Sequence, residues 1–425
     1  MTELATWAGN YRFTARRVVE ARTVGDVRRA VAAGGRVRAL GTRHSFHDLA
    51  ENGATLVTVT GIPPEPVLDE AARTVTVGGG TTYGQLATWL QERGWALANL
   101  ASLPHISIAG AIATGTHGSG SGNQVLSAAV AGLDYVAAGG EVRRAERSEP
   151  DFAGLAVGLG AFGIVVRVTV DIEPTYQVRQ DVYAGLTWDR LLASLPGVLA
   201  AGYSVSVFTD WGAGSVQAWV KRRVAGPAGP ALDDAVPEEL FGARRDRGPA
   251  RLVDAPVDNL TEHGAPGPWS ERLPHFRIDS VPSNGNEIQS EYFVSAEHGP
   301  AAVEAVHRLT RLVTPLLLVS EIRIIAPDQL WLSGAYGRPT VALHFTWRNL
   351  PEQVDAVLPH VEAALAPYDA RPHWGKVTHV GASQLARLYP RLADARALFE
   401  RLDPDGQFSA SRLERLGVRE GHPDR

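Results

Sequence analysis

Residues 158–163 read GLGAFG, the spelling of a GxGxxG dinucleotide turn, and what flanks them constrains the fold. A Rossmann unit needs a strand before its glycines and a helix after them, so that the pyrophosphate rests on the helix N-terminus. Here the order is reversed. Upstream, EPDFAGLAVG has helical character; downstream, IVVRVTVDI is dense in β-branched residues and reads as a strand. The six residues form a helix-to-strand turn that glycine permits, and no Rossmann unit is expected there. The backbone amides of such a turn can still meet a ligand.

The chain before about residue 174 mixes helices and strands with glycine at the joints. VGDVRRAVAA at 24–33 has helical spacing, and GGRVRALG gives a turn and a short strand running into the loop TRHSF. Strand-like TLVTVT and RTVTVGGG follow. Tyr83, Leu86, Ala87 and Leu90 then recur at helical spacing behind a threonine cap. The stretch SLPHISIAGAIATGTHGSGSG at 102–122 is too rich in glycine for an ordinary helix and too apolar for a linker. Such backbone suits close approach to a ligand.

Beyond residue 174 the segments YSVSVFTDW, SVQAWVKRR, NEIQSEYFV, LLLVSEIRII and TVALHFTW alternate as strands of an antiparallel sheet, with one helix, PAAVEAVHRLTRLV. The proline-rich piece 226–268 reads as an irregular insertion. From 371, RPHWGKVTHV leads into helix-like SQLARLYPRLADARALFERL. A length of 425 residues fits two or three domains.

Composition narrows the chemistry. A net charge of −5 and no basic tract longer than KRR leave no phosphate-neutralising stripe, so nucleic acid is not an expected partner. The absence of cysteine excludes disulfides, thiolate metal sites and cysteine nucleophiles. There is no signal-peptide core and no apolar run of membrane-spanning length, so the expectation is a cytoplasmic protein without a membrane partner. His105 and His117 have no ligand-spaced partner, and no metal site is expected. Only Lys221 and Lys376 are lysines against abundant arginine, which makes each retained lysine noticeable.

Strand alternation gathers the polar residues. In VSEIRII, Glu321 and Arg323 share a face; in ALHFTW, His344 and Thr346 do; in NEIQSEYF, Gln289 falls with Glu287 and Glu291. If these strands are neighbours, the faces converge into one surface offering acid, base and cation. Lys376 follows aromatic and glycine residues in PHWGK, and His44 follows a strand in GTRHSF.

Taken together, RALGTRHSFHDLA, TVTVGGGTTYGQLA, ANLASLPHISIAGAIATGTHGSG, GLGAFGIVVRVT, SEIRII, HFTW and RPHWGK resemble the alditol/xylitol oxidase group of the vanillyl-alcohol-oxidase-type covalent flavoproteins. These ordered motifs run from about Trp7 to DPDGQFS near the C-terminus. The resemblance implies an α+β, two-domain VAO/PCMH-type FAD-binding fold. Residues 1–174 and a return at 371–425 would form the FAD domain, and 175–370 a substrate domain on an antiparallel sheet flanked by helices.

The resemblance also implies roles. His44 would carry the covalent bond to FAD, and Gly41, Thr42, Arg43, Ser45 and Phe46 would cradle the pyrophosphate. Ser102, Ser107, Gly110, Thr114, Gly115, Thr116 and His117 would line the rest of the cofactor, with Gly163, Ile164 and His373 beside the flavin. Arg43 stands where the family commonly has glycine, and a side chain resists positive φ. Ser102, Glu321, Arg323, Thr346 and Lys376 match polyol-binding and activating positions, with Gln289 and His344 adjacent. Ala101 matches a position that controls oxygen access. The implied reaction is oxidation of the terminal (C1) hydroxyl of a linear alditol such as xylitol or sorbitol to the aldose, with dioxygen reduced to hydrogen peroxide, by a monomer. The alternatives are a gulono- or galactono-lactone oxidase or dehydrogenase and, more remotely, a sugar-binding protein without turnover.

Overall fold

A computed structural model of the chain describes residues 4–212, 214, 216–224, 236–248, 251–252, 258–280 and 286–421. Near the N-terminus, Arg17–Glu20, Thr55–Thr58 and Val37–Leu40 form a three-stranded parallel sheet with Thr55–Thr58 in the middle. The helix Val24–Ala32 starts at Thr23, where a reciprocal Thr23–Asp26 capping box satisfies two amides left over at the helix end. Its buried Val27, Ala30 and Val31 share a core with Val57, Ile164 and Val166. A five-stranded antiparallel sheet adjoins, with Ile164–Asp171 at its centre. The order around GLGAFG is as the sequence predicts, with a short helix, Phe152–Leu155, before the turn and this strand after it.

Among the described residues, the second domain is built on one ten-stranded sheet in which every neighbouring pair is antiparallel. Its central order is Gln177–Leu186, Val216–Val224, Ser204–Thr209, Leu317–Ile325, Thr340–Arg348 and Glu287–Ser295. Three helices, Trp188–Leu199, Gly299–His307 and Pro351–Leu365, supply Leu191, Leu195, Val303, Val306, Val354 and Val361 to the core on one face. Sequence pattern foresees only the middle one, and that helix ends at His307 rather than running on to 313. The other two each tolerate an internal proline, Pro196 and Pro359, a residue that ordinarily removes a helix hydrogen bond.

The 226–268 insertion is less irregular than expected. Glu239–Leu240, Ala243–Asp246 and Pro266–Pro268 extend the sheet beside Gln177–Leu186, while 225–235, 249–250 and 253–257 lie outside the described residues. The C-terminal segment begins as the edge strand Arg371–Pro372. It continues as two helices where one was expected, Ala382–Leu388 and Leu392–Leu402, separated at Pro390. Leu385, Leu398 and Phe399 then bury in the same core as Val75, Leu86 and Val168 of the first domain. Among the described residues no helix is long and apolar enough to cross a membrane.

Candidate active site

Antiparallel register builds the site. Phe208, Glu321, His344 and Glu291 stand opposite one another across four neighbouring strands, and Val319, Thr346 and Gln289 form the next row. Arg323, two residues beyond Glu321, lies opposite Ala342, whose small side chain leaves space for the guanidinium to reach the next strand. The convergence that alternation anticipates is therefore realised. These side chains wall one end of a cavity of about 660 Å³, within the usual range for a ligand cleft.

The charges at this end saturate one another. Arg323 donates from Nη2 to Glu291 Oε1 at 2.6 Å and from Nη1 to Ser102 Oγ at 3.3 Å. Lys376 Nζ donates to Glu291 Oε2 and to His344 Nδ1, both at 2.7 Å. Because an ammonium only donates, His344 carries its proton on Nε2, 3.0 Å from Thr346 Oγ1. Glu321 Oε1 accepts from His275 Nε2 at 2.8 Å, and its Oε2 lies 3.5 Å from Arg323 Nε. Glu291, Glu321 and Arg323 are at most 5% exposed. Two carboxylates against Arg323 and Lys376 balance, which is what lets such charges persist in the interior.

Environment sets protonation. Burial opposes ionisation of both carboxyls, but Arg323 and His275 hold Glu321, and Lys376, His117 and Arg323 hold Glu291, well below the usual range. Burial, reinforced by Lys376, pushes His344 down to about 4. Burial also lowers Lys376. At neutral pH the cluster thus consists of two carboxylates, a guanidinium, a buried lysine and a neutral histidine.

The other end of the cavity is made of backbone and small side chains. A Cβ on Gly41 would lie 2.5 Å from Ser107 Oγ, and one on Gly110 2.9 Å from it. Among the described residues, Ser107 Oγ and both ring nitrogens of His44 are buried without a hydrogen-bond partner, a condition that interiors rarely tolerate. Burial, with His105 adding to it, pushes His44 down to about 4, so its imidazole is neutral and nucleophilic near pH 7. Trp7 stacks on the His44 ring with centroids 4.8 Å apart.

Arg43 does adopt the left-handed conformation, with φ +66°. Its carbonyl accepts from the Trp7 amide at 2.8 Å and its Nη1 donates to Ala5 O at 3.1 Å. The arginine therefore ties the N-terminal segment over His44, which offsets the cost of a side chain at positive φ. In the GLGAFG turn, Arg38 draws the Leu159 and Gly160 carbonyls to itself at 2.8 and 2.7 Å, while Gly158, Gly160 and Gly163 line the cavity wall. Unpaired hydroxyl and imidazole groups beside a glycine-lined wall fit a flavin dinucleotide, whose phosphates and ring need close backbone and a few polar contacts.

Of the residues to which the resemblance gives a role, all line this cavity except two. Gly115 completes the turn after the Ile108–Ala113 helix at φ +68°, and Ile164 is buried in the parallel-sheet core. Three further groups belong to the constellation: Glu291, His275 and Lys221. Alternation already places Glu291 beside Gln289, and the rarity of lysine marks Lys221. His275 lies in irregular backbone, where no periodicity points to it. Among the described residues no group of three or more potential ligands could hold a metal ion.

Comparison with known proteins agrees with this arrangement. Residues 15–146 match the FAD binding domain family and residues 284–416 the D-arabinono-1,4-lactone oxidase family. Over 422 residues the chain is 43% identical to an alditol oxidase from a Streptomyces species, covering 98% of this chain and 99% of that one. It is 29% identical to an L-gulono-1,4-lactone dehydrogenase of Mycobacterium tuberculosis, covering 92% of each. In three dimensions it superposes on the crystal structure of cholesterol oxidase from B. sterolicum with a TM-score of 0.79 at 16% identity, covering 97% and 96% of the two chains.

Proposed function

Because the chain belongs to the alditol oxidase group of the vanillyl-alcohol-oxidase-type FAD oxidoreductases, we propose that it oxidises the terminal hydroxyl of a linear alditol such as xylitol or sorbitol to the aldose. Dioxygen is the acceptor and hydrogen peroxide the second product. The observation that carries this reading is the buried Glu321–Arg323–Glu291–Lys376 cluster facing the same cavity as His44. The enzyme acts as a cytoplasmic monomer.

FAD, when bound, would supply the hydride acceptor and the site of reaction with dioxygen; Gly41 to Phe46, Ser107, Gly110, Thr114, Thr116, His117, Gly163 and His373 would hold it, and His44 would carry the covalent link. The chain does the rest. Glu321, Ser102, Gln289 and Thr346 hold the hydroxyls of the polyol and so orient the reacting carbon. Arg323 and Lys376 stabilise developing alkoxide charge inside a site that excludes water. Lys376 Nζ already donates to Glu291 and His344, leaving its remaining position to the reacting oxygen.

His344 is not the proton acceptor, since Lys376 occupies Nδ1 and the proton sits on Nε2. Glu321 is too acidic for the task. That leaves Lys376: burial favours its neutral amine, which donates its two N–H groups to Glu291 and His344, takes the hydroxyl proton on its lone pair and becomes the ammonium that faces the oxygen. Ala101, buried on the cavity wall, sets oxygen access through its small size.

Oxygen uptake compared across xylitol, sorbitol and gulonolactone tests the reading. The polyols should be the better substrates by kcat/KM, and a strong lactone preference would overturn the proposal. That rival has two observations in its favour, the match of 284–416 to the lactone oxidase family and the 29% identity to the gulonolactone dehydrogenase. Yellow fluorescence retained on a denaturing gel, and lost in His44→Ala, tests the covalent link. Fluorescence that persists in the variant would move the link elsewhere, and colourless purified protein would favour a sugar-binding role.

A further inference from the structure

The two lysines among 41 basic residues make the same contact in two places. Lys376 Nζ donates to His344 Nδ1, and Lys221 Nζ lies 3.2 Å from His275 Nδ1. Lys221 is 1% exposed, in the Val216–Val224 strand beside the substrate cluster. Burial lowers it to about 7, and its Nζ reaches three acceptors, namely Leu273 O, Pro274 O at 3.2 Å and His275 Nδ1. The Glu321 carboxylate only accepts, so His275 Nε2 bears the hydrogen; the ring is neutral, since burial and Lys221 push it down to about 4, and Nδ1 is therefore the acceptor toward Lys221 Nζ. That hydrogen faces Glu321 Oε1 at 2.8 Å, with Ser206 Oγ at 3.3 Å.

His275 is held on its remaining sides as well. Phe208 and Trp219 meet its ring edge-on at 5.2 and 5.6 Å between centroids. Its backbone N–H donates to Ser102 O at 3.1 Å. One residue in irregular backbone thus anchors two groups of the substrate end, Ser102 through the main chain and Glu321 through the ring. A compact ammonium suits this place, whereas a planar guanidinium would need a wider fork of acceptors.

We infer that Lys221 and His275 are positioning residues for the substrate: Lys221 locks His275 as an Nε2–H donor, and that donor fixes the Glu321 carboxylate in the orientation that receives the hydroxyls of the substrate. The inference rests on Glu321 being a substrate-holding carboxylate, as proposed above. It assigns a function to the second lysine, which touches neither the cavity nor a carboxylate directly.

The test is a double-mutant cycle on the holoenzyme with xylitol, joined to a tautomer measurement. Lys221→Met should lower kcat/KM roughly ten-fold, mostly through KM, and should have no further effect in the Glu321→Gln background. Multiplicative losses would overturn the inference. In nitrogen-15 histidine spectra, with His275 identified by its loss in His275→Gln, the wild type should show Nε2 protonated and Lys221→Met a mixture of tautomers. An unchanged tautomer would also overturn it.

Should Lys221→Met fail to accumulate, a second pair decides. His275→Gln keeps an N–H donor and should retain most activity, while His275→Leu should show the ten-fold loss; equal losses would defeat the inference. If Glu321→Gln leaves kcat/KM unchanged, the substrate role of Glu321 fails instead, and the tautomer spectra still decide the Lys221–His275 link.

Discussion

On the helix-covered face of the ten-stranded sheet, Ile322, Leu343, Phe345 and Trp347 pack against apolar side chains of three helices. On the cavity face of the same strands, Glu321, Arg323, His344 and Thr346 are almost as deeply buried, none more than 8% exposed, yet they face one another. The two faces keep water out by different means. Dispersion and burial on the first are spread over many contacts, so a lost group leaves a cavity and a graded cost. On the second, each group is the compensation for its neighbour, so a lost group leaves an orphaned charge.

The sharpest way to break this contrast is Arg323→Met. On the proposed role it removes a donor to the developing alkoxide, a loss of about 10²–10³ in kcat/KM, and it leaves two buried carboxylates against the single cation Lys376, costing about 3–5 kcal/mol in stability. Turnover with xylitol and urea unfolding of the same preparation measure both. A variant that lost activity but kept wild-type stability would show that the carboxylates find water or another partner. The matched change on the opposite face is Trp347→Ala. It should cost about 3–5 kcal/mol in unfolding free energy while leaving kcat/KM per folded enzyme unchanged, because Trp347 points away from the cavity and its Nε1 bonds Ser290 Oγ at 2.8 Å.

The contrast between faces was legible in the sequence because alternation with period two is local. Glu321 with Arg323 and His344 with Thr346 could be placed on shared faces without knowing which strands adjoin. Strand order was not legible, and it is order that sets Glu291 opposite His344 and makes it the hub. His275 was invisible because irregular backbone carries no period, and two of the covering helices were hidden by Pro196 and Pro359. The flanks of GLGAFG carry their own patterns, and these give the helix before it and the strand after it. A lone loop histidine such as His44 has no pattern of its own, so its proposed role rested on resemblance; the structure adds two unpaired nitrogens and a stacked Trp7.

Acid should act on the cavity face first. Burial, joined by Lys221 and by Lys376, pushes His275 and His344 from 6.5 down to about 4. Between those values the unfolded chain binds more protons than the folded one, so stability rises with pH across this window and is lost as pH falls from about 6.5 towards 4. Glu291 and Glu321, lowered from 4.5, add to the loss below about 4.5. A fall of about 6 kcal/mol in urea-unfolding free energy between pH 7 and 4 is expected from the two histidines together. The slope should flatten in the His344→Gln, His275→Gln double variant, and an unaltered slope would place the titration elsewhere.

The mildest probe is Thr346→Val, which keeps the shape of the side chain but removes the oxygen 3.0 Å from His344 Nε2. His344 is 8% exposed, so its N–H is left without an acceptor at a cost of about 1–2 kcal/mol. Lys376 holds Nδ1, so the imidazole cannot relieve the loss by moving its proton to the other nitrogen. The ring must instead rotate or accept the substrate as its partner. A rise in KM of up to roughly ten-fold with kcat little changed follows from the second course, and Thr346→Ser should restore KM because the hydroxyl returns. A valine variant with wild-type KM and wild-type urea midpoint would mean that this hydroxyl neither holds the histidine nor meets the substrate. The polar face would then tolerate a lost partner as readily as the apolar one.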